Sequence, residues 1–190
     1  CSSQILIDEL KREGFVEKEN YRCIIHPKKT DKEAYATIKR KQRNIIRKAE
    51  KNNLNIDFEE KSDGFLELAK NKIYYRQEHL KRELRYCAQH VCYINCYYHK
   101  ELIASAVLFV VNKNIIVRYL ASTMQGRTLG ANAFIMWDIM KRFRDKTIDL
   151  GGLGHEIANT TVGYGKFKLS FSPDVQYRPF FVKEYTNPQV

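Results

Sequence analysis

Only four prolines occur in 190 residues, and no proline-, glycine- or serine-rich tract divides the chain. Disordered, low-complexity and repeat architectures are thereby excluded, and one domain with a real core is expected, with room for a fragment of a second. Long hydrophobic runs are missing too: the most apolar stretch, residues 103–111, is too short to span a bilayer. No basic-then-apolar signal segment opens the chain. The chain begins with Cys1 rather than Met, as expected of a processed product or a fragment. Five cysteines (Cys1, Cys23, Cys87, Cys92 and Cys96) are an odd number without a C-x-x-C pair. They read as buried thiols in a reducing cytoplasm rather than as zinc ligands or a disulfide framework. Acidic residues are scarce, 22 against 33 lysines and arginines, for a net charge of +11. That excess points to an anionic partner without choosing among nucleic acid, a phosphorylated ligand and a membrane surface.

What is present reads as alternating elements. Residues 4–13 look like a short helix, and "YRCIIHP" (21–27) like a strand closed by Pro27. "TDKE" (30–33) is a capping box that opens a helix running to about Asn52, with Tyr35, Ile38, Ile45, Ile46 and Ala49 on one face. Over 39–51 its other faces carry Lys39, Arg40, Lys41, Arg43, Arg47, Lys48 and Lys51 against a lone acid, Glu50. "LNIDFEE" (54–60) alternates as a strand, and 65–86 reads as one long helix. Strands at 91–98, 102–111 and 115–123 are joined by tight turns, the pattern of antiparallel hairpins. A helix at 130–146, a strand "TIDL" (147–150), a short helix near 162–170 and a last strand at 175–185 complete the series. From residue 54 the order β-α-β-β-β-α-β-α-β predicts a mixed α/β (α+β) sheet over 54–190. Residues 1–53 stand outside that pattern, as the end of a preceding domain or a helical layer packed on this one.

The nine glycines are unevenly used, and three of them fall in "GGLG" (151–154), between Asp149 and the pair Lys166 and Lys168. The glycines fit no nucleotide motif. A P-loop would need glycine at Thr160 and Ser or Thr at Phe167, and the dinucleotide fingerprint counted from Gly152 ends on Ile157. There is no G-x-S-x-G and no histidine pair at metal-ligand spacing, so no metal is expected. The other notable segment is "TMQGRTLGANAF" (123–134), a polar loop leading into the helix at 130, where outward amides would suit a phosphate. Its spacing Arg127-x-x-Gly130-x-Asn132 approaches the acyl-CoA pyrophosphate loop R/Q-x-x-G-x-G/A and departs from it at Asn132.

The succession of strands and helices resembles the GNAT acyltransferase fold, and three stretches resemble its Fem-type branch, which includes peptidoglycan-bridge aminoacyl transferases and acetyltransferase-like proteins. They are "RNIIRKAEKNNLNI" (43–56), "ANAFIMWDIMKRFRDKTIDLGG" (131–152) and "GKFKLSF" (165–171), similar to that family's R-x-x-I-R-K-A-E-K, Trp-helix–strand–D-x-G-G and F-K-x-x-F. The resemblance implies a GNAT-like domain at 54–190, the C-terminal one of two in the same protein. The coiled-coil arm that some members insert is absent.

It further implies transfer of an acyl group from acetyl-CoA or another acyl-CoA to an amine or hydroxyl, in cell-wall or surface-polysaccharide synthesis. The alternative donor is aminoacyl-tRNA, for a peptidoglycan-bridge reaction; a non-catalytic basic module that binds nucleic acid is the third reading. Leu120, Ser122, Gln125, Gly126, Arg127, Gly130, Ala131 and Asn132 would hold the donor. Lys168 matches the family lysine and would bind a donor phosphate or stabilise developing negative charge, whereas Lys166 reads as a surface residue. Asp149 either acts in catalysis or caps the glycine turn through backbone amides. His155 and Glu156 are candidate bases and Tyr164 a candidate acid. Arg43 and Arg47, one helical turn apart, and Arg76 in "YYRQEH" would contact an anionic substrate. Location in the cytoplasm, with peripheral membrane contact open, completes the expectation.

Overall fold

The computed structural model describes residues 2–59, 63–70, 77–153, 163–172 and 174–183. In chain order the elements are α1 (Ser2–Arg12), β1 (Val16–Lys18), β2 (Tyr21–Ile25), α2 (Asp31–Thr37), α3 (Arg40–Lys51), β3 (Asn55–Glu59), α4 (Asp63–Ala69) and α5 (Gln77–Tyr86). There follow β4 (Val91–Tyr98), β5 (Glu101–Val111), β6 (Asn114–Ser122), α6 (Met124–Leu129), α7 (Ala131–Arg142), β7 (Thr147–Gly152), α8 (Gly163–Lys168), β8 (Val175–Tyr177) and β9 (Phe180–Val182). Seven strands form one mixed sheet in the order β3-β4-β5-β6-β7-β2-β8, and β1 pairs with β9 in a small second sheet. The expected hairpins β4–β5 and β5–β6 are antiparallel, and β6–β7 is the parallel pair, bridged by α6 and α7.

Strand alternation sorts the core into two layers. Cys92, Ile94 and Cys96 of β4 face α3 and α7, joining Ile46, Ala49, Ile135, Met136 and Ile139. Tyr93, Val107 and Ala121 face the other way, against Phe65 and Ala69 of α4 and Leu80 and Leu84 of α5. Residues 21–49 are built into the first layer. Strand β2 lies between β7 and β8 in the main sheet, and Cys23, Ile38, Ile46 and Ala49 are fully buried there.

Four expected elements differ in extent. The helix foreseen from 30 to 52 is broken at Ile38, which is extended (ψ 132°) and buried. The break lets Lys39 N–H donate to the Ser170 carbonyl (2.8 Å), while Thr37 Oγ1 donates to the Ala34 carbonyl (2.8 Å). Thr30 caps α2 as expected, accepting from Glu33 N–H, and Glu33 in return accepts from the amide of Lys29. The helix foreseen over 65–86 is described as two pieces, and the Ala69 carbonyl closing the first accepts from the Gln77 side chain (3.0 Å). Strand β7 runs on through the first two glycines. The final strand is two short ones on either side of Pro179, β8 pairing with β2 and β9 with β1.

Candidate active site

Strands β6 and β7 pair over three positions only, ending at Ile116 opposite Asp149. Beyond that point β6 continues along β5, and β7 turns to β2, with Gly152 opposite Arg22. The sheet therefore opens between two parallel strands at their C-terminal ends, the place where α/β sheets hold ligands. A bulge lies on each side of the opening. On β6 the extra residue is Arg118, between Val117 and Tyr119. On β7 three residue steps, Asp149 to Gly152, face two on β2, and the slack is taken up by Gly151 at φ +83°.

Asp149 is held on both oxygens. Arg22 Nε donates to Oδ2 at 2.7 Å, and the Gly151 amide donates to Oδ1 at 2.8 Å. Of the two alternatives for this acid, the capped glycine turn is the arrangement present, with an ion pair added. Lys168, the last residue of α8, brings Nζ within 2.9 Å of the Gly152 carbonyl and 4.8 Å of the Tyr164 ring centroid. Its Nζ also lies 3.2 Å from where a Cβ on Gly151 would stand. Burial pushes its ammonium down to about 8, and Arg22 adds to that, against the opposing pulls of Cys23 and Asp149. Lys166 and Tyr164 are exposed, as a surface position requires of the first. His155, Glu156 and Arg76 lie outside the described residues.

The segment after β6 is more closed than its sequence suggested. The polar loop after β6 is helical: α6 opens on Thr123, whose Oγ1 accepts from the Gly126 amide (3.0 Å). The Arg127 amide donates to the Thr123 carbonyl and the Gly130 amide to the Arg127 carbonyl, both at 3.2 Å. Gly126 is pressed on β5, since a Cβ there would stand 2.3 Å from the Ile103 carbonyl oxygen. Gly130, at φ +85°, ends α6 and begins α7 with its back 2.6 Å from Ile45 of α3 by the same measure. Ala131 is fully buried, Leu120 and Ser122 are half-buried and buried, and Gln125 and Arg127 are exposed. Asn132, standing where the acyl-CoA loop has Gly or Ala, keeps a buried Oδ1 with no hydrogen-bond partner among the described residues.

Arg43 lies over the Tyr35 ring (5.9 Å), whereas Arg47 is exposed and donates to Asn44. One polar cluster escaped the sequence reading. Glu83 of α5 accepts from Arg118 Nε (2.7 Å) and from the Tyr119 hydroxyl, with His79 Nε2 at 3.8 Å. Burial raises the Glu83 carboxyl, but its bonds from Arg118 and Tyr119 outweigh burial and hold it below the usual value. Tyr119 is driven up to about 12 by burial and by the same bond. Nothing in the sequence spacing links residue 83 to 118; only the β6 bulge brings them together. No group of three potential metal ligands occurs among the described residues.

No family profile matches the chain, and no curated protein matches it in sequence. Solved structures do. FemX superposes with a TM-score of 0.69 at 13% identity, over 94% of this chain and 66% of its own. The C-terminal domain of a lysylphosphatidylglycerol synthetase from Agrobacterium fabrum gives 0.63 at 14%, over 95% and 65%. L-PGS from Bacillus licheniformis gives 0.61 at 11%, over 96% and 66%. The chain thus spans just under two thirds of the length of each. With its seven-stranded mixed sheet and its parallel pair opening at Asp149, the chain shares with these structures a GNAT-like acyltransferase fold.

Proposed function

We propose that the chain is the acyl-transferring domain of a Fem-type enzyme, moving an acyl group from an activated donor to an amine or hydroxyl. The observation that carries this reading is Lys168 at the end of α8, a half-buried cation whose Nζ meets the Gly152 carbonyl at the end of β7, beside the opening of the sheet. There it can face a donor phosphate or the oxygen that gains charge as the acceptor attacks. The donor we favour is the aminoacyl ester of a tRNA. In the segment after β6, the amides of Gly126, Arg127 and Gly130 are engaged within α6 and Gly130 backs onto α3, which leaves a coenzyme A pyrophosphate few donors. An acyl-CoA donor is the second reading, favoured by the opened parallel pair and by the exposed Arg127 of α6.

The acceptor belongs to cell-wall or surface-polymer synthesis on this reading, and a preceding GNAT-like domain of the same protein completes the cleft. No described helix is long and apolar enough to cross a membrane. Thermal unfolding with coenzyme A, acetyl-CoA, deacylated tRNA and aminoacyl-tRNA tests the proposal. A ligand at one hundred times its Kd adds about 2.7 kcal/mol. Stabilisation by aminoacyl-tRNA beyond deacylated tRNA, lost in Lys168→Ala, is the expected result. Stabilisation by coenzyme A at 0.3 M salt would move the donor to the second reading, and equal response to both tRNAs would reduce the chain to a basic surface.

A further inference from the structure

The charged groups around Lys168 are arranged unlike those around an ordinary buried ammonium. Among the described residues no carboxylate lies within ion-pair distance of Nζ, and its hydrogen-bond acceptor is the Gly152 carbonyl. The nearby acid, Asp149, is engaged by Arg22 and by the Gly151 amide. Among the described residues, the groups facing Nζ are Arg22 and Cys23 from β2, Asp149 from β7 and the Tyr164 ring from its own helix, and the carboxylate of Asp149 is itself paired with the Arg22 guanidinium. Gly151, with no side chain, makes room for Nζ against the backbone of β7 at the open end of the sheet: a Cβ there would stand 3.2 Å from it.

We infer that Lys168 is itself an acylation site, at which the neutral amine takes an acyl group from a reactive ester or thioester and so switches off the cation the domain needs. The Nζ lone pair forms a C–N bond to the acyl carbonyl carbon, and the C–O or C–S bond to the leaving group breaks. The proton lost by the amine goes to the departing hydroxylate or thiolate, giving an Nζ-acyl amide and a free alcohol or thiol, with no change of oxidation state. Beside this unpaired, half-buried geometry, burial and Arg22 bring the Lys168 ionisation down to about 8, which makes the neutral amine needed for attack available. The physiological consequence, self-inactivation by the donor, rests on the proposed function; the nucleophilic site does not.

The test is trace labelling of the folded chain with the N-hydroxysuccinimide ester of acetic acid from pH 6 to 10, with peptide mass mapping. Lys168 should label about tenfold faster than Lys41 and Lys166 at pH 7.5, with half-maximal rate near pH 8, and Lys168→Arg should lose that early label alone. Equal or slower labelling of Lys168 overturns the inference. A parallel incubation with acetyl-CoA and with aminoacyl-tRNA separates the two claims. Selective reaction with the ester reagent but none with either donor keeps the site and counts against the proposed function, and acyl-Lys168 from either donor supports both.

Discussion

At the residue scale, Lys168 carries a cost that its partners only partly offset. Its folded-state ionisation lies near 8 against 10.5 for a free side chain. Between those values the unfolded chain binds more protons than the native one, so native stability rises with pH across this window. Below pH 8 the full cost is present. Replacing Lys168 by Met, which keeps the stem without the charge, should therefore raise stability at pH 7 by on the order of 2 kcal/mol. That gain should shrink to little by pH 10.5, as read by urea unfolding at several pH values. A gain that stays constant with pH would assign the effect to packing. The cysteines follow the same physics with the opposite charge. Burial pushes the Cys23 and Cys92 thiols up to about 11 and Cys96 to about 12, whereas Cys87 is half-exposed. An aromatic disulfide reagent at pH 7.5 should accordingly modify Cys87 in the native protein and these three only on unfolding. Asp149 and Lys168 could be picked out in the sequence because a glycine elbow and an F-K-x-x-F frame mark them. Arg22 and Cys23, which set their electrostatics, could not. They reach the site through a strand pairing across more than a hundred residues, and local pattern carries no trace of it.

At the scale of elements, the hairpins β4–β5–β6 and helix α7 were readable because their apolar periods and turns are local. The break at Ile38 was not, since the helical pattern runs straight through it. What ends α2 is tertiary, the Ser170 carbonyl waiting for the Lys39 amide. Helix α6 was likewise hidden in a polar, glycine-containing run. Its fit against β5 makes Gly126→Ala a sharp test: the new Cβ would meet the Ile103 carbonyl oxygen at 2.3 Å, and backbone must move. A loss of about 2–3 kcal/mol is expected from such overpacking, measurable by chemical denaturation; a change within about 0.5 kcal/mol, as at an ordinary surface position, would mean that α6 does not rest on β5. Helix α5 is tied to the β6 bulge by Glu83, which bonds both Arg118 and Tyr119. Glu83→Gln keeps the shape and removes the charge. It should cost about 1–2 kcal/mol near pH 7, and because the carboxyl is held below its ordinary value, that difference should fade as the pH drops through the folded-state value. Equal loss at pH 7 and pH 3 would show that the charge is immaterial to the tie.

For the whole molecule, the surplus of eleven positive charges is not spread evenly. Helix α3 holds six lysines and arginines to one glutamate, and of these Arg40, Lys41, Arg47, Lys48 and Lys51 are exposed. None of those five is in an ion pair among the described residues. Such a face binds polyanions through counterion release, so tRNA affinity should fall steeply with salt whether or not the tRNA is charged with an amino acid. Net charge alone, legible from composition, could have announced as much. What composition could not supply is discrimination of the acyl end, which the account assigns to Lys168 at the opened strands. The direct measurement is titration of the chain with aminoacyl-tRNA and with the same tRNA deacylated, at 0.3 M salt, for the native protein and Lys168→Ala. The account predicts tighter binding of the acylated form by the native protein and no such difference in the variant. Equal binding of the two forms by the native protein would contradict it.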